Sequence, residues 1–394
     1  MSVRNLRGYA TLDIRLGSGP QLIWGPNAAG KTTLLEAVVL LGLGRSHRTN
    51  TDTELIRWGA DYLRIEGIMG LAGEGAPTGH GPDPDADADD DADDAAGPQG
   101  AALDVSLQAG GGRKRIQVNG VPRRPAALSD HLRTVLFAPE EMLLVVGPPT
   151  LRRTALDGLT GPHDRSYVSN LTTYGRALQQ RNSLLRSIRE GEADRAQLRY
   201  WDEPLLAAGA AIVATRLRVL DLLAEPLAAA HREIAPSEDA LTISYETNAP
   251  MKPGETPRDS LARRLGETAE KEVWNGSTLV GPHRDDIAFH LGGRDLATFA
   301  SRGQQRTAIL ALKLAELDVL TSLDGRPPLL LLDDVFSELD PARRGHLVRR
   351  IAELPQALVT ATNPDDIDPD LRRRAHSWRV LPAADGATVQ EGEA

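Results

Sequence analysis

Gly25-Pro26-Asn27-Ala28-Ala29-Gly30-Lys31-Thr32, followed by Thr33, has the spacing of a phosphate-binding loop. The apolar run Gln21-Leu22-Ile23-Trp24 precedes it, and the stretch Leu34-Leu35-Glu36-Ala37-Val38-Val39-Leu40 follows with helical periodicity. The order is therefore strand, glycine loop, helix. Glycines allow successive backbone N–H groups to turn inward around a triphosphate, and a helix N-terminus adds the positive end of its dipole. Lys31 would meet the β- and γ-phosphates, and the Thr32 hydroxyl would hold Mg2+. The chain has 45 Lys and Arg together, nearly all of them Arg, so a lysine at this position carries weight.

Leu329-Leu330-Leu331-Leu332-Asp333-Asp334 supplies the matching acids. Four leucines suit a strand buried on both faces, with the carboxylates emerging at its C-terminal end beside the loop. Asp333 would hold Mg2+, and Asp334, the candidate catalytic acid alongside Lys31, would orient and polarise the attacking water. Taken alone, the run also reads as a strand ending in an acidic helix cap.

Upstream, Ala300-Ser301-Arg302-Gly303-Gln304-Gln305-Arg306 opens a helical run. Ser-x-Gly-Gln at a helix start, shortly before such a strand, resembles the signature motif of ABC-type ATPases. A serine N-cap with unbonded N–H groups offers a second anion site. One chain cannot close both sites on one nucleotide. The implied assembly is a head-to-tail homodimer with two ATP molecules between each phosphate loop and the opposing Ser301, Arg302, Gly303 and Gln304. Ser337-Glu338-Leu339-Asp340 resembles the D-loop lining such an interface, through Ser337 and Asp340.

A chain of 394 residues holds two or three domains around a sizeable core. Its 41% hydrophobic and 25% charged content is that of a soluble globular protein. No apolar run approaches a membrane span, and Met1-Ser2-Val3-Arg4-Asn5 lacks the apolar core of a secretory signal, so a cytoplasmic protein without a membrane partner is expected. The absence of cysteine excludes disulfides and thiolate metal sites. The net charge of −10 is mostly local, because Asp and Glu crowd residues 71–100 where Lys and Arg are absent. The remainder is nearly neutral, which neither demands nor excludes nucleic acid.

Residues 70–100 are Gly, Ala, Pro and Asp with almost no large apolar side chain, and disorder is expected there. Alternation at Leu103-Asp104-Val105-Ser106-Leu107 and Ile116-Gln117-Val118 leads into the hairpin turn Asn119-Gly120. Apolar residues at helical spacing from Val168 to Ile188 and again from Trp201 to Leu227 read as two antiparallel helices of about 25 residues each, about 40 Å long. The expected fold is α/β: an ABC-type P-loop ATPase head, a mixed sheet with an antiparallel β subdomain, carrying an inserted helical arm domain. Its parts would be 1–145 (head, N-terminal part), 146–276 (arm) and 277–394 (head, C-terminal part).

A short helical arm in a split ABC head resembles the RecF family of bacterial recombination mediators. Transporter ATPase domains need a shorter spacing and a switch histidine, where this chain has Thr360-Ala361-Thr362. A P-loop kinase would not need the signature helix. The resemblance covers the chain outside 70–100 and includes Asn5-Leu6-Arg7-Gly8-Tyr9, Gly44-Arg45-Ser46-His47-Arg48, Phe137-Ala138-Pro139-Glu140, Gln180-Arg181-Asn182 and Gly281-Pro282-His283-Arg284-Asp285-Asp286. Ala28 stands where many members have Gly, at small cost if its φ is negative.

The resemblance implies ATP-driven dimerisation on double-stranded or gapped DNA without sequence preference, slow hydrolysis that resets the dimer, and RecR and RecO as partners in loading recombinase. It also implies that Arg7 approaches the phosphates, with a surface arginine as the alternative. Asn27 would reach across the dimer or simply form the turn. Glu140 would link the arm to Mg2+. No role follows for His283 or Arg284 beyond a turn. Arg113, Lys114, Arg115, Arg123 and Arg124 flank the hairpin, either for DNA phosphates or as a solvated face.

Overall fold

The computed structural model describes residues 1–70, 100–110, 113–383 and 386–392. The segment expected to be disordered therefore lies, from 71 to 99, outside the described residues. In chain order the elements begin β1 (Ser2–Leu6), β2 (Tyr9–Asp13), β3 (Gly19–Trp24), α1 (Lys31–Leu43), β4 (Tyr62–Met69), β5 (Ala101–Gln108), β6 (Arg115–Val118), β7 (Val121–Pro122) and β8 (Thr134–Phe137). The middle contains α2 (Leu143–Val146), α3 (Pro149–Thr160), α4 (Arg165–Arg189), α5 (Arg199–Ile234), β9 (Leu241–Glu246), α6 (Pro257–Asn275), β10 (Asp286–Leu291), β11 (Arg294–Asp295), α7 (Leu296–Phe299) and α8 (Arg302–Asp324). The chain closes with β12 (Leu329–Leu332), α9 (Pro341–Ala352), β13 (Gln356–Ala361), α10 (Pro369–Arg374), β14 (His376–Ala383) and β15 (Gly386–Glu391).

Two compact units result, one of residues 1–136 with 328–394 and one of residues 137–327. The first is built on a mixed sheet in the order β7-β6-β5-β4-β1-β2-β15-β14-β3-β13-β12-β8. Around β3 the strands are parallel, with β13 on one side and β14 on the other, and β12 continues parallel to β13. From β4 to β7 the ladder is antiparallel. This is the expected mixed sheet with an antiparallel part. The parallel strands are buried apolar runs because helical crossovers cover them; Leu330, Leu331 and Leu332 have no exposed surface. Helix α1 is buried almost all round, from Lys31 to Gly42, and this explains why its sequence carries no clean amphipathic stripe. At the β6–β7 turn Asn119 and Gly120 both have positive φ (53° and 79°), the geometry of a type I′ hairpin.

In the second unit α4 and α5 pack against each other with α6. Tyr167, Tyr174, Leu205, Ile212, Leu261 and Leu265 form the apolar core. Helix α4 has the expected 25 residues. Helix α5 runs to 36, about 54 Å at 1.5 Å per residue. The unit boundaries differ from the expected 145/146 and 276/277. Strand β10 pairs antiparallel with β9, and α8 packs along α5, so residues 277–327 stay with the helices. Among the described residues no helix is long and apolar enough to cross a membrane.

Candidate nucleotide-binding site

The loop between β3 and α1 has the backbone that its glycines require. Gly25 has φ 156°, and a Cβ there would collide with the Val380 carbonyl. Gly30 has φ 114°, with the Tyr9 hydroxyl 3.0 Å from where a Cβ would lie. Ala28 has φ 61°, so the condition of a negative φ is not met and an L-side chain sits in the left-handed region. Pro26 caps the tight turn, its carbonyl accepting from Ala29 N–H (3.2 Å). Beyond the loop, Lys31, Thr32 and Thr33 form the first turn of α1, whose amides have no intrahelical acceptor.

Lys31 is 7% exposed, and its ammonium donates to the carbonyls of Gly25 (2.8 Å) and Pro26 (3.1 Å). Those partners are neutral. Burial lowers the Lys31 pKa, and the charges of Asp334 and Asp333 only partly offset it. A buried ammonium among neutral acceptors suits an incoming anion.

Thr32 donates its hydroxyl hydrogen to Asp333 Oδ2 at 2.7 Å, across 301 positions of chain. The other carboxylate oxygen of Asp333 accepts from Thr360 Oγ1 (2.6 Å), and the same Thr360 oxygen accepts from Asp334 N–H (3.0 Å). Thr360 has no exposed surface. It was not among the expected site residues, and its only sequence signal is a hydroxyl at the end of the apolar strand β13. Asp334 has φ 53°, and its carbonyl accepts from Ser337 Oγ (2.9 Å). Asn27 Oδ1 accepts from Thr362 Oγ1 at 3.0 Å, so within the chain Asn27 ties the loop to the end of β13. Hydroxyl and carboxylate oxygens are the donors a small hard cation prefers, and Mg2+ sites combine one or two such groups with phosphate oxygens and water. The pair Thr32 and Asp333 therefore fits Mg2+.

Arg7 forks onto Glu36 of α1, with Nε to Oε2 at 2.6 Å and Nη2 to Oε1 at 2.9 Å. Arg7, expected either to approach the phosphates or to lie on the surface, is anchored by this carboxylate. Glu36 is fully buried and also accepts from Ser46 Oγ, with Arg48 Nη1 at 3.5 Å. Burial would raise the Glu36 pKa, but the hydrogen bonds of Arg7 and Ser46 and the charges of Arg7 and Arg48 hold it below the ordinary carboxylate value.

In the second unit Ser301 is the N-cap of α8. Its side chain accepts from Gln304 N–H (3.3 Å) while Gln304 Oε1 accepts from Ser301 N–H (2.9 Å), a capping box. Arg302 and Gly303 between them are exposed. Asp340 caps α9 in the first unit, accepting from Arg343 N–H at 3.0 Å. Glu140 lies in the single turn 139–142 of the second unit, exposed, while its neighbour Glu141 pairs with buried Lys313 at 2.6 Å.

Of the hairpin cations, Lys114 leaves the DNA set. Its ammonium donates to Gly44 O (2.8 Å) and pairs with Asp52 (2.7 Å), because the β6 end folds against the segment after α1. Arg113, Arg115, Arg123 and Arg124 are exposed. The segments around Arg181 and His283 gain a structural account. Arg181 holds Asp202 (2.7 Å), Thr278 (2.9 Å) and Glu272 (2.7 Å). His283 Nδ1 lies 2.6 Å from the Tyr174 hydroxyl, and a Cβ at Gly281 would strike that hydroxyl. Asp285 accepts from Tyr245 (2.7 Å) and Thr247 (2.8 Å), and Arg152 forks onto Asp286.

A family model described as an AAA domain matches residues 1–84. The chain is 38% identical over 376 residues to the DNA replication and repair protein RecF of Moorella thermoacetica, covering 95% of this chain and 92% of that one. It is 35% identical to RecF of Bacillus subtilis, with 96% and 97% covered. Among solved structures, one described as the recombination mediator protein RecF with ATP in the RecFOR pathway superposes with a TM-score of 0.83 at 31% identity, covering 99% of this chain and 96% of that one. The Smc head domain of Pyrococcus furiosus gives 0.53 at 14% identity over 100% and 95%, a likeness of fold. The architecture is thus the ATPase-head fold shared by RecF and Smc heads. With its relatives matched end to end at more than 30% identity, this chain belongs to the RecF family.

Proposed function

We propose that the chain is an ATP-dependent DNA-binding protein of recombinational repair, in which ATP closes a homodimer on DNA and slow hydrolysis opens it. The contact between Thr32 and Asp333 carries the reading, since it joins the phosphate loop and the acidic strand end into one oxygen-lined site. Thr32 and Asp333 would hold Mg2+, which neutralises phosphate charge and polarises the scissile bond when bound. Lys31 and the backbone N–H groups of Gly30, Lys31, Thr32 and Thr33 bind phosphate, with Gly25, Pro26, Asn27, Ala28 and Ala29 shaping the loop, and Arg7 faces the nucleotide from the β1–β2 turn. Asp334 orients the attacking water and accepts its proton. Ser301, Arg302, Gly303 and Gln304 would close the site of a second copy, flanked by Ser337 and Asp340, and Glu140 would report on the metal.

DNA contact is assigned to Arg113, Arg115, Arg123 and Arg124 on backbone phosphates. The relatives' names and the RecFOR description support DNA repair with RecR and RecO as partners, and the ATP-bound relative supports the nucleotide. Sedimentation and duplex-DNA binding with ATP, ADP and no nucleotide test the whole. Dimers and tighter DNA binding are expected with ATP alone, and Asp334→Asn is expected to hold the ATP-bound dimer while lowering turnover at least about hundredfold. A monomer indifferent to nucleotide and DNA would refute the proposal.

A further inference from the structure

We infer that Glu36 is a positioning residue for nucleotide binding: a buried carboxylate that holds Arg7 and Arg48 as a guanidinium pair presented to the phosphates of a bound nucleotide. The inference rests on the nucleotide reading of Arg7 above and adds the group that places it. Glu36 lies one turn beyond Thr32 on α1, on the same helix face as the candidate metal ligand. A bare carboxylate there would repel a triphosphate, so the chain must neutralise it. It does more than that. Arg7 takes both carboxylate oxygens and leaves Nη1 outside the fork. Arg48 adds a second guanidinium at 3.5 Å, and Ser46 fixes the loop by donating to Glu36 while its own oxygen accepts from Arg48 N–H at 2.9 Å. Two cations on one carboxylate leave a net positive charge beside the phosphate loop.

The backbone points the same way. Arg7 has φ of 45°, the positive value required at the first position of the two-residue hairpin turn between Leu6 and Tyr9, so the turn itself fixes where the guanidinium starts. The β1–β2 turn carrying Arg7 is held on two sides, with Tyr9 donating its hydroxyl hydrogen to Gly30 O of the loop (3.2 Å) and Gly8 O accepting from Ala387 N–H of β15 (3.0 Å). The Tyr9 contact holds this turn, and with it Arg7, beside Gly30 at the start of α1.

The test is a double-mutant cycle in the full chain, with Arg7→Gln, Glu36→Gln and both together. MgATP affinity is read by calorimetry at a temperature where each variant is folded. Each single change is expected to weaken ATP about tenfold, the worth of one charge-assisted hydrogen bond, and the pair no more than either alone. Wild-type affinity in Glu36→Gln, or losses that multiply in the pair, would overturn the positioning role while leaving Arg7 as a ligand. Unchanged affinity in Arg7→Gln would remove the reading of Arg7 and this inference with it. If Glu36→Gln does not fold, Glu36→Asp keeps the charge but withdraws it by one methylene. It is expected to weaken ATP severalfold, and wild-type binding there also overturns the proposal. Arg48→Gln, which leaves the Arg7 fork intact, should weaken ATP by a smaller factor; no change would exclude Arg48 from the pair.

Discussion

Buried cations in the two units have opposite surroundings. In the first unit Lys31 is enclosed by its own loop and bonded to two carbonyls, and burial lowers its pKa. In the second, Lys313 lies 2.6 Å from Glu141 and 3.1 Å from Glu316. Burial alone would lower the pKa of Lys313, but those carboxylates reverse the sign and raise it. Arg216 is similarly enclosed and bonds Asp157 (2.9 Å), Tyr167 (3.0 Å) and Pro282 O (2.8 Å), and Asp157, Tyr167 and Tyr245 raise its pKa against burial. A fully enclosed cation whose charge is already answered inside the fold is structural, unlike Arg7 and Arg48, which share one carboxylate and keep part of each side chain exposed. One bonded to carbonyls, whose nearby carboxylates only partly offset its burial, can still take an anion from outside. The comparison separates the two roles where burial alone does not.

The largest expected effect lies on the structural side. Arg216→Ala strips Asp157 of its buried partner and leaves the Tyr167 hydroxyl and the Pro282 carbonyl without a donor. A loss of about 3–5 kcal/mol is expected in urea unfolding, with ATP affinity of the folded protein unchanged. A loss below about 1 kcal/mol would mean that water replaces the guanidinium, and the distinction between the units would weaken.

His283 extends the comparison to pH. Burial lowers its pKa from 6.5 to about 4. The unfolded state then binds more protons between those values, so stability is complete above about pH 6.5 and falls as pH drops toward 4. The drop amounts to about 3 kcal/mol at most. Asp285 acts with opposite sign, since burial raises its pKa and its contribution grows as pH falls. Subtracting the profile of His283→Gln from that of wild type isolates the histidine. Parallel profiles from pH 6.5 to 4 would show that the imidazole is not held neutral.

On the other side, Lys31→Met removes a buried ammonium that is hydrogen-bonded to two carbonyls, with Asp334 and Asp333 acting on it only through their charge. Stability should stay the same or rise by up to about 1 kcal/mol, while ATP binding weakens about hundredfold. A destabilisation comparable with that of Arg216→Ala would mean that the carbonyl bonds alone satisfy Lys31.

What the sequence reveals follows the range of each interaction. Gly25, Gly30, Lys31, Thr32 and Asp333 are legible because the site chemistry fixes their spacing along single segments. Thr360 is not, since a threonine ending an apolar strand has no local mark, and its role arises from two parallel strands side by side. Arg7 and Glu36 lie 29 positions apart, and their fork depends on the β1–β2 turn abutting α1. Arg181 and Arg216 sit in an arginine-rich chain where abundance hides the buried few. Lys114 misleads in the other direction, because a hairpin cation looks solvated until Asp52 and Gly44 are placed beside it.

Ala28 is the finest probe of how the loop is held. Its φ of 61° costs an L-residue about 1–2 kcal/mol, whereas glycine adopts it freely. Ala28→Gly relieves that strain but gives the unfolded chain more freedom, which takes back about 0.4–1 kcal/mol. A net gain of a few tenths to about 1 kcal/mol is therefore expected in thermal unfolding. ATP affinity should change little, because Lys31, Thr32 and the Thr32–Asp333 contact do not involve the Ala28 methyl group. A loss of stability would show instead that the methyl packs usefully against its surroundings. The left-handed turn would then be supported by side-chain contact rather than tolerated for the sake of phosphate.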